Sequence, residues 1–307
     1  MDGLSAFRFA VGVMFLTYAS FKDLKTRRVP DWVWVGFGTI ALIVFEVELF
    51  LKEAKLEHQL ILVPTCILFY TVFFGKEMWT EEGFKLRPLR LGLYILALIV
   101  LIYSTYHFWR VGGDDANLYW SHLSMPVLIV LAHVFYQFGL LRGGADAKAF
   151  MSIALLVPIY PNLDPSLPLA QLPPSVQNAV NITFPFAFVV LLDAALLLLI
   201  LPVGLFFINT IRGDLHGIEA ILGYRVRLDR LPKFAWLMDR IEEGEHIRVL
   251  FPRRSENREE QIQKLEEKGF KHVWVTPQIP FIVPMTIGFI MAFLVGNFII
   301  GLVLLIT

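Results

Sequence analysis

The chain has 307 residues, no formal net charge, 56% hydrophobic and 18% charged residues, and a single cysteine, Cys66. Soluble globular chains carry about 25% charged residues, and here the apolar excess, with 27 phenylalanines, arrives in long blocks, so an ordinary soluble protein is excluded. The balanced charge gives no basic surface for nucleic acid, and the lone cysteine excludes an internal disulfide or a multi-cysteine zinc module.

Apolar runs of about 18 or more residues read as membrane spans. In chain order they fall at 4–20, 31–51, 58–75, 89–109, 122–141, 145–160, 181–208 and 279–306. The sixth is short, ends at Pro158 and Pro161, and suits a partial span packed inside the bundle. The opening stretch MDGLSAFRFAVGVMFLTYAS lacks a basic leader, so it reads as a retained helix and not a cleaved signal. The expected fold is an all-α polytopic membrane bundle of about eight spans with its N-terminus outside, carrying a small cytoplasmic α+β module.

Orientation follows from lysine and arginine. Lys22, Lys25, Arg27 and Arg28 fill the first connection, Lys76, Lys85, Arg87 and Arg90 the third, and Arg142 and Lys148 flank a glycine pair. The alternate connections are poor in positive charge: GGDDANLYWSH is acidic, and YPNLDPSLPLAQLPPSVQN has no basic residue. This pattern puts Asp23, Asp146 and the hydrophilic block 209–278 on one, cytoplasmic, side. The expected organisation is a membrane catalytic core at 1–208, a soluble module at 209–278 and a C-terminal transmembrane helix at 279–307. Within the module, REEQIQKLEEKGFKHVWVTP reads as a charged helix ended by Gly269 and then a strand, and GYRVRLDRLP and EHIRVLFP read as further short strands.

Ionisable side chains at membrane spans are costly and tend to be functional. Asp23 ends the first span and Asp146 opens the sixth, at a similar depth, whereas Asp193 in VVLLDAALLLLI lies about sixteen residues from its span end, roughly 24 Å deeper. Asp193 therefore reads as a structural acid, hydrogen-bonded or protonated. Two aspartates in a partly desolvated site can hold one proton between them and activate water on a peptide carbonyl. Gly143 and Gly144, without Cβ, would allow close backbone approach beside Asp146. The same residues also suit an ordinary interhelical turn with Asp146 as a first-turn acid, and Asp23 beside Lys22 and Lys25 also suits a surface ion pair.

SFKDLKTRRVPDWVW together with GGADAK resembles the archaeal preflagellin and prepilin peptidases, GxGD-type polytopic aspartyl proteases related to the bacterial type IV prepilin peptidases. The first motif is carried by Asp23, Arg27, Val29 and Pro30, followed by Asp31; the second by Gly143, Gly144, Ala145, Asp146 and Lys148, with Ala145 in place of the signature's glycine. The resemblance implies catalysis by Asp23 and Asp146 with Gly143, Gly144, Lys148, Arg27 and Pro30 in support. It implies removal of a short basic leader from archaellin or pilin-like precursors at the cytoplasmic face of the cell membrane. It implies no cofactor and no metal, no nucleic-acid partner, and the lipid bilayer as surroundings. The cysteine-bearing insert of bacterial relatives is absent, so methyl transfer is not expected.

The same residues admit other readings. Intramembrane acids also serve proton-coupled transporters, but no second copy of GGADAK or of the Asp23 stretch marks an inverted repeat. An assembly platform would need neither aspartate. Gly112, Gly113, Asp114 and Asp115 could bind a metal with His107 and His122 nearby, but read better as a solvated acidic outer loop. His216 and Glu219 in HGIE lack a third ligand. Because glycines absorb dihedral change, the two aspartates are expected to stand apart at rest and meet on substrate, with Gly144 taking up part of the movement.

Overall fold

The computed structural model describes residues 2–75, 78–80, 83–141, 143–161, 183–215, 217–252 and 258–297. Arg142 and His216 lie outside them. The chain divides into two compact units, Met1–Ala194 with Pro280–Thr307, and Ala195–Ile279.

The first helix, Gly3–Thr26 (α1), starts at Asp2, whose carboxylate accepts the Ser5 amide at 2.7 Å. It ends at Arg27, which adopts a left-handed φ of 55° and returns its N–H to the Asp23 carbonyl. Pro30, extended at φ −62° and ψ 145°, opens Asp31–Leu51 (α2). Proline fixes φ and lacks the N–H a continuing helix would need, so the chain turns here. The carboxylate of Asp31 then sits in the first turn, where the helix dipole favours it.

Further helices are Leu56–Gln59 (α3), Leu62–Tyr70 (α4), Pro88–Val111 (α5, with Pro88 at its first turn), Gly113–His122 (α6), Ser124–Gln137 (α7), Gly144–Leu156 (α8) and Phe186–Leu198 (α9). Trp79–Thr80 and Gly83–Phe84 form a two-stranded pair (β1, β2). Ile200–Arg212 (α10) and Glu219–Leu222 (α11) follow. Next come the strands Tyr224–Arg227 (β3), Ala235–Leu237 (β4), Asp239–Glu242 (β5) and Glu245–Arg248 (β6). Arg258–Glu267 (α12), His272–Pro277 (β7) and Ile282–Leu294 (α13) complete the described chain.

Among the described residues five stretches are long and apolar enough to cross a membrane: Gly3–Thr26, Asp31–Leu51, Pro88–Val111, Gly113–Gln137 and Phe186–Arg212. Leu56–Tyr70 and Ile282–Leu294 are shorter apolar helices, and α8 has 13 residues. The eight-span reading counted these three regions as spans.

Buried Arg8 donates to buried Glu48 at 2.5 Å, and Lys52 reaches the other Glu48 oxygen at 2.7 Å. At the far ends of the same helices the rings of Tyr18 and Trp32 lie 5.8 Å apart. Contacts at both ends make α1 and α2 an antiparallel hairpin. α8 packs against α2 and α7, and from Asp146 to Leu156 nearly every residue is buried. A helix apolar on all sides belongs in a bundle interior. Trp34, Phe37, Phe45, Phe69, Phe108, Phe289 and Phe293 are buried in the same core.

The acidic stretch at 112–121, read as a solvated loop, is instead largely the helix α6. Gly112 and Gly113, with φ of 65° and 68°, turn the chain between α5 and α6. Asp114 and Asp115 then occupy the first turn, where acids are favoured, and Asp115 pairs with Lys55.

In the second unit β3, β7 and β4 form an antiparallel sheet in the order β3-β7-β4. β5 and β6 form a hairpin through Glu243 and Gly244, with φ of 51° and 85°, the two-residue turn that matches strand twist. Leu228, Leu237, Ile241, Leu265, Val273 and Val275 make the core under α12. The expected helix and three strands are present; β4 and β5 are additional.

Candidate active site

Asp23 occupies the face of α1 that packs on α13. One turn earlier Ser20 and Thr286 share a hydrogen bond at 2.8 Å. Further back the Phe289 ring fills the space a side chain at Gly12 would need. The helix therefore carries Asp23 inward: it is 8% exposed, and the Ile282 backbone amide interacts with its carboxylate. Arg27 closes this turn, its N–H 2.9 Å and its guanidinium 3.5 Å from the Asp23 carbonyl. Arg27 thus ends the helix just past Asp23, and its charge lies within electrostatic reach of the Asp23 carboxylate.

Asp146 is the third residue of α8 and is 9% exposed. Its carboxylate folds back to accept the Gly143 amide at 3.1 Å, the reciprocal half of a capping box. Gly143 has an ordinary extended backbone, φ −101° and ψ 129°, so left-handed freedom is not what this position uses. A Cβ there would overlap the Asp146 carboxylate. At Gly144 a Cβ would meet nothing closer than Tyr136, at 3.9 Å. Of the two glycines, the close approach lies at Gly143.

Helices α1 and α8 touch, and Asp23 and Asp146 lie within electrostatic reach of each other. No hydrogen bond joins the two carboxylates among the described residues. Lys148, two residues beyond, turns away to Asp31 at 2.6 Å and lies 5.2 Å over the Phe73 ring. Asp31, quoted in the sequence motif without a role, therefore ties the start of α2 to the helix carrying Asp146. The sequence signal was an acid after Pro30 and an unassigned lysine, but 117 positions separate the pair.

Asp193 stands apart from this pair. It is 1% exposed on α9 with no hydrogen-bond partner for either carboxyl oxygen among the described residues, so the hydrogen-bonded form of the structural reading is not found. Gly288 of α13 packs against its Cβ, and the Tyr160 phenol is within electrostatic reach. His107 packs on Phe108 and His122 on Phe45. Among the described residues no group of three or more His, Cys, Asp or Glu side chains could hold a metal ion.

Residues 218–298 match the family model described as Archaeal Peptidase A24 C-terminus Type II. The chain is 24% identical over 302 residues to the preflagellin peptidase of Methanocaldococcus jannaschii, covering 96% of this chain and 97% of that protein. It is 20% identical over 306 residues to the preflagellin peptidase of Methanococcus voltae, covering 96% and 98%. These matches support an archaeal preflagellin peptidase family. A third relative, the preflagellin peptidase of Methanococcus maripaludis strain C6, is 25% identical over 236 residues, covering 73% of this chain and 92% of that protein. The family model lies on the second unit and α13, whereas the first two relatives, each covering 96% of this chain, extend across the helices that carry Asp23 and Asp146.

Proposed function

We propose that this chain is a membrane aspartyl endopeptidase that removes the short basic leader from archaellin or type IV pilin-like precursors. Asp23 and Asp146 act as the catalytic pair at the cytoplasmic face. The carrying observation is that two different helices bring two buried carboxylates within electrostatic reach of each other. The names of the relatives supply the substrate class. The positions of Lys22, Lys25, Arg27 and Arg28 beside Asp23, and of Lys148 beside Asp146, support a cytoplasmic site, eight spans and an outside N-terminus. On the same basis residues 209–278 are a cytoplasmic module and 279–307 a terminal span.

Two carboxyls in a partly desolvated site cannot easily both ionise, so the pair holds one proton. The charged member takes a proton from water as the water oxygen bonds to the scissile carbonyl carbon. The neutral member gives its proton to the carbonyl oxygen. Collapse of the tetrahedral diol breaks the C–N bond: the leaving amine takes a proton from the pair while one diol hydroxyl returns its proton to it, so the pair again holds one proton. Gly143 lets the Asp146 carboxylate lie against backbone, and Lys148 with Asp31 holds the start of α8 against α2.

The test is expression in membranes with a tagged pilin-like precursor, read as a size shift. Processing that starts at the leader boundary supports the reading. An unprocessed precursor beside a folded, inserted protein refutes it and favours a transporter or assembly role.

A further inference from the structure

We propose that the turn joining α1 to α2 is a docking surface for the anionic headgroups of membrane lipids. Lys22, Lys25 and Arg28 cluster within seven positions, and Lys25 and Arg28 are exposed. None of the three has a carboxylate partner among the described residues. The two acids nearby are already committed: Asp23 is buried in the bundle and Asp31 is held by Lys148 at 2.6 Å. The two lysines lie instead against aromatic faces. Lys22 Nζ is 5.6 Å from the Tyr18 ring and Lys25 Nζ is 5.8 Å from the Phe21 ring.

The apolar side chains of this surface decide its partner. Tyr18, Phe21, Leu24 and Trp32 are all exposed, Trp32 at 62%, and Tyr18 packs beside Trp32 at 5.8 Å. An oligonucleotide or an acidic protein segment would satisfy the cations and leave these rings in water. A lipid surface takes both. Aromatic and aliphatic bodies enter the acyl boundary while long basic side chains reach up to the phosphates. α1 and α2 are each long and apolar enough to cross a bilayer, and this turn joins them, so the cluster belongs at headgroup depth. Each basic side chain near an anionic surface is worth about a fivefold preference. Three of them make the surface selective for acidic over zwitterionic lipid.

The experiment uses the full chain reconstituted in phosphatidylcholine vesicles that contain a minor fraction of chain-brominated lipid. The brominated lipid is either phosphatidylglycerol or phosphatidylcholine. Subtracting the Trp32→Phe protein isolates the emission of Trp32. Brominated phosphatidylglycerol is expected to quench Trp32 several-fold more than brominated phosphatidylcholine at equal content, and added salt should shrink the difference. Lys22→Gln, Lys25→Gln and Arg28→Gln together should abolish the preference, and Lys22→Arg, Lys25→Arg and Arg28→Lys together should keep it. Equal quenching of the unaltered protein by the two lipids would overturn the proposal without recourse to any variant. So would a preference that survives the triple glutamine change, or one that an oligonucleotide or polyglutamate removes while salt at the same ionic strength does not.

Discussion

Gly143→Ala is the sharpest perturbation of the candidate site. The backbone of Gly143 lies at φ −101° and ψ 129°, a region open to alanine, so no dihedral strain is introduced. Reduced freedom of the unfolded chain should contribute about 0.4–1 kcal/mol in favour of the variant. Against this, the new Cβ overlaps the Asp146 carboxylate. The carboxylate must rotate away and lose its 3.1 Å bond from the Gly143 amide. A hydrogen bond to a charged group is worth about 1.5–3 kcal/mol. The net loss of stability is therefore about 1–2 kcal/mol, while a reacting group displaced by about 1 Å loses on the order of 100-fold in rate. Gly144→Ala serves as the partner experiment. Its Cβ has room against Tyr136 at 3.9 Å, and alanine at a helix start gains up to about 1 kcal/mol over glycine. Initial rates of leader cleavage and thermal unfolding in detergent should be measured for both. The expected outcome is a large rate loss for Gly143→Ala with modest destabilisation, and near-normal turnover for Gly144→Ala. Full activity in Gly143→Ala, or an equal loss in Gly144→Ala, would refute the steric account and return the mechanical role to Gly144.

Three further outcomes are expected. A double-mutant cycle on Asp31→Asn and Lys148→Met should show a stability coupling of about 0.3–1 kcal/mol, with cleavage falling in both singles; independent, additive effects would dissolve the link between α2 and α8. Arg8→Leu should destabilise, by less than the about 3–5 kcal/mol of a fully unpaired buried charge, because Lys52 still reaches Glu48 at 2.7 Å after the 2.5 Å partner is gone, and adding Glu48→Leu should recover part of the loss; equal loss in the single and the double would mean that packing, not the weakened pairing, dominates. Glu266→Cys in a Cys66→Ser background should resist an impermeant maleimide on intact cells and label after permeabilisation; ready labelling from outside would reverse the proposed topology.

How much of this was legible in the sequence varied with the kind of signal. The second span matched its helix at both ends, 31–51, because Pro30 and an acidic first turn mark the start. The first span was read as ending at residue 20, whereas α1 runs to Thr26. Hydropathy falls at Lys22 and Asp23, but the helix continues through them because Asp23 faces the bundle. Helix α6 was missed because polarity and paired glycines look alike in a loop and at a helix start. In the second unit, Gly269 and the charged run preceding it announced α12 and β7, while WLMDRIE has no clean alternation and hid β4 and β5. Buried Asp239 explains part of that: it sits on an inner face, held by Arg248 at 2.7 Å and the Trp274 amide at 2.6 Å. The two candidate aspartates were singled out by local motifs. The preference for Gly143 over Gly144, and the partnership of Lys148 with Asp31, depend on side-chain directions and distant pairings that no local pattern carries.

The central claim is that Asp23 and Asp146 act as one catalytic unit, and the most direct measurement is turnover of a purified precursor by the reconstituted enzyme and its Asp23→Asn, Asp146→Asn and double variants. Groups that act as a unit are strongly non-additive. Each single variant should therefore fall to background cleavage while remaining folded and inserted, and the double variant should fall no further. Cleavage at an ordinary rate by either single variant, or a double variant far below both singles, would contradict it.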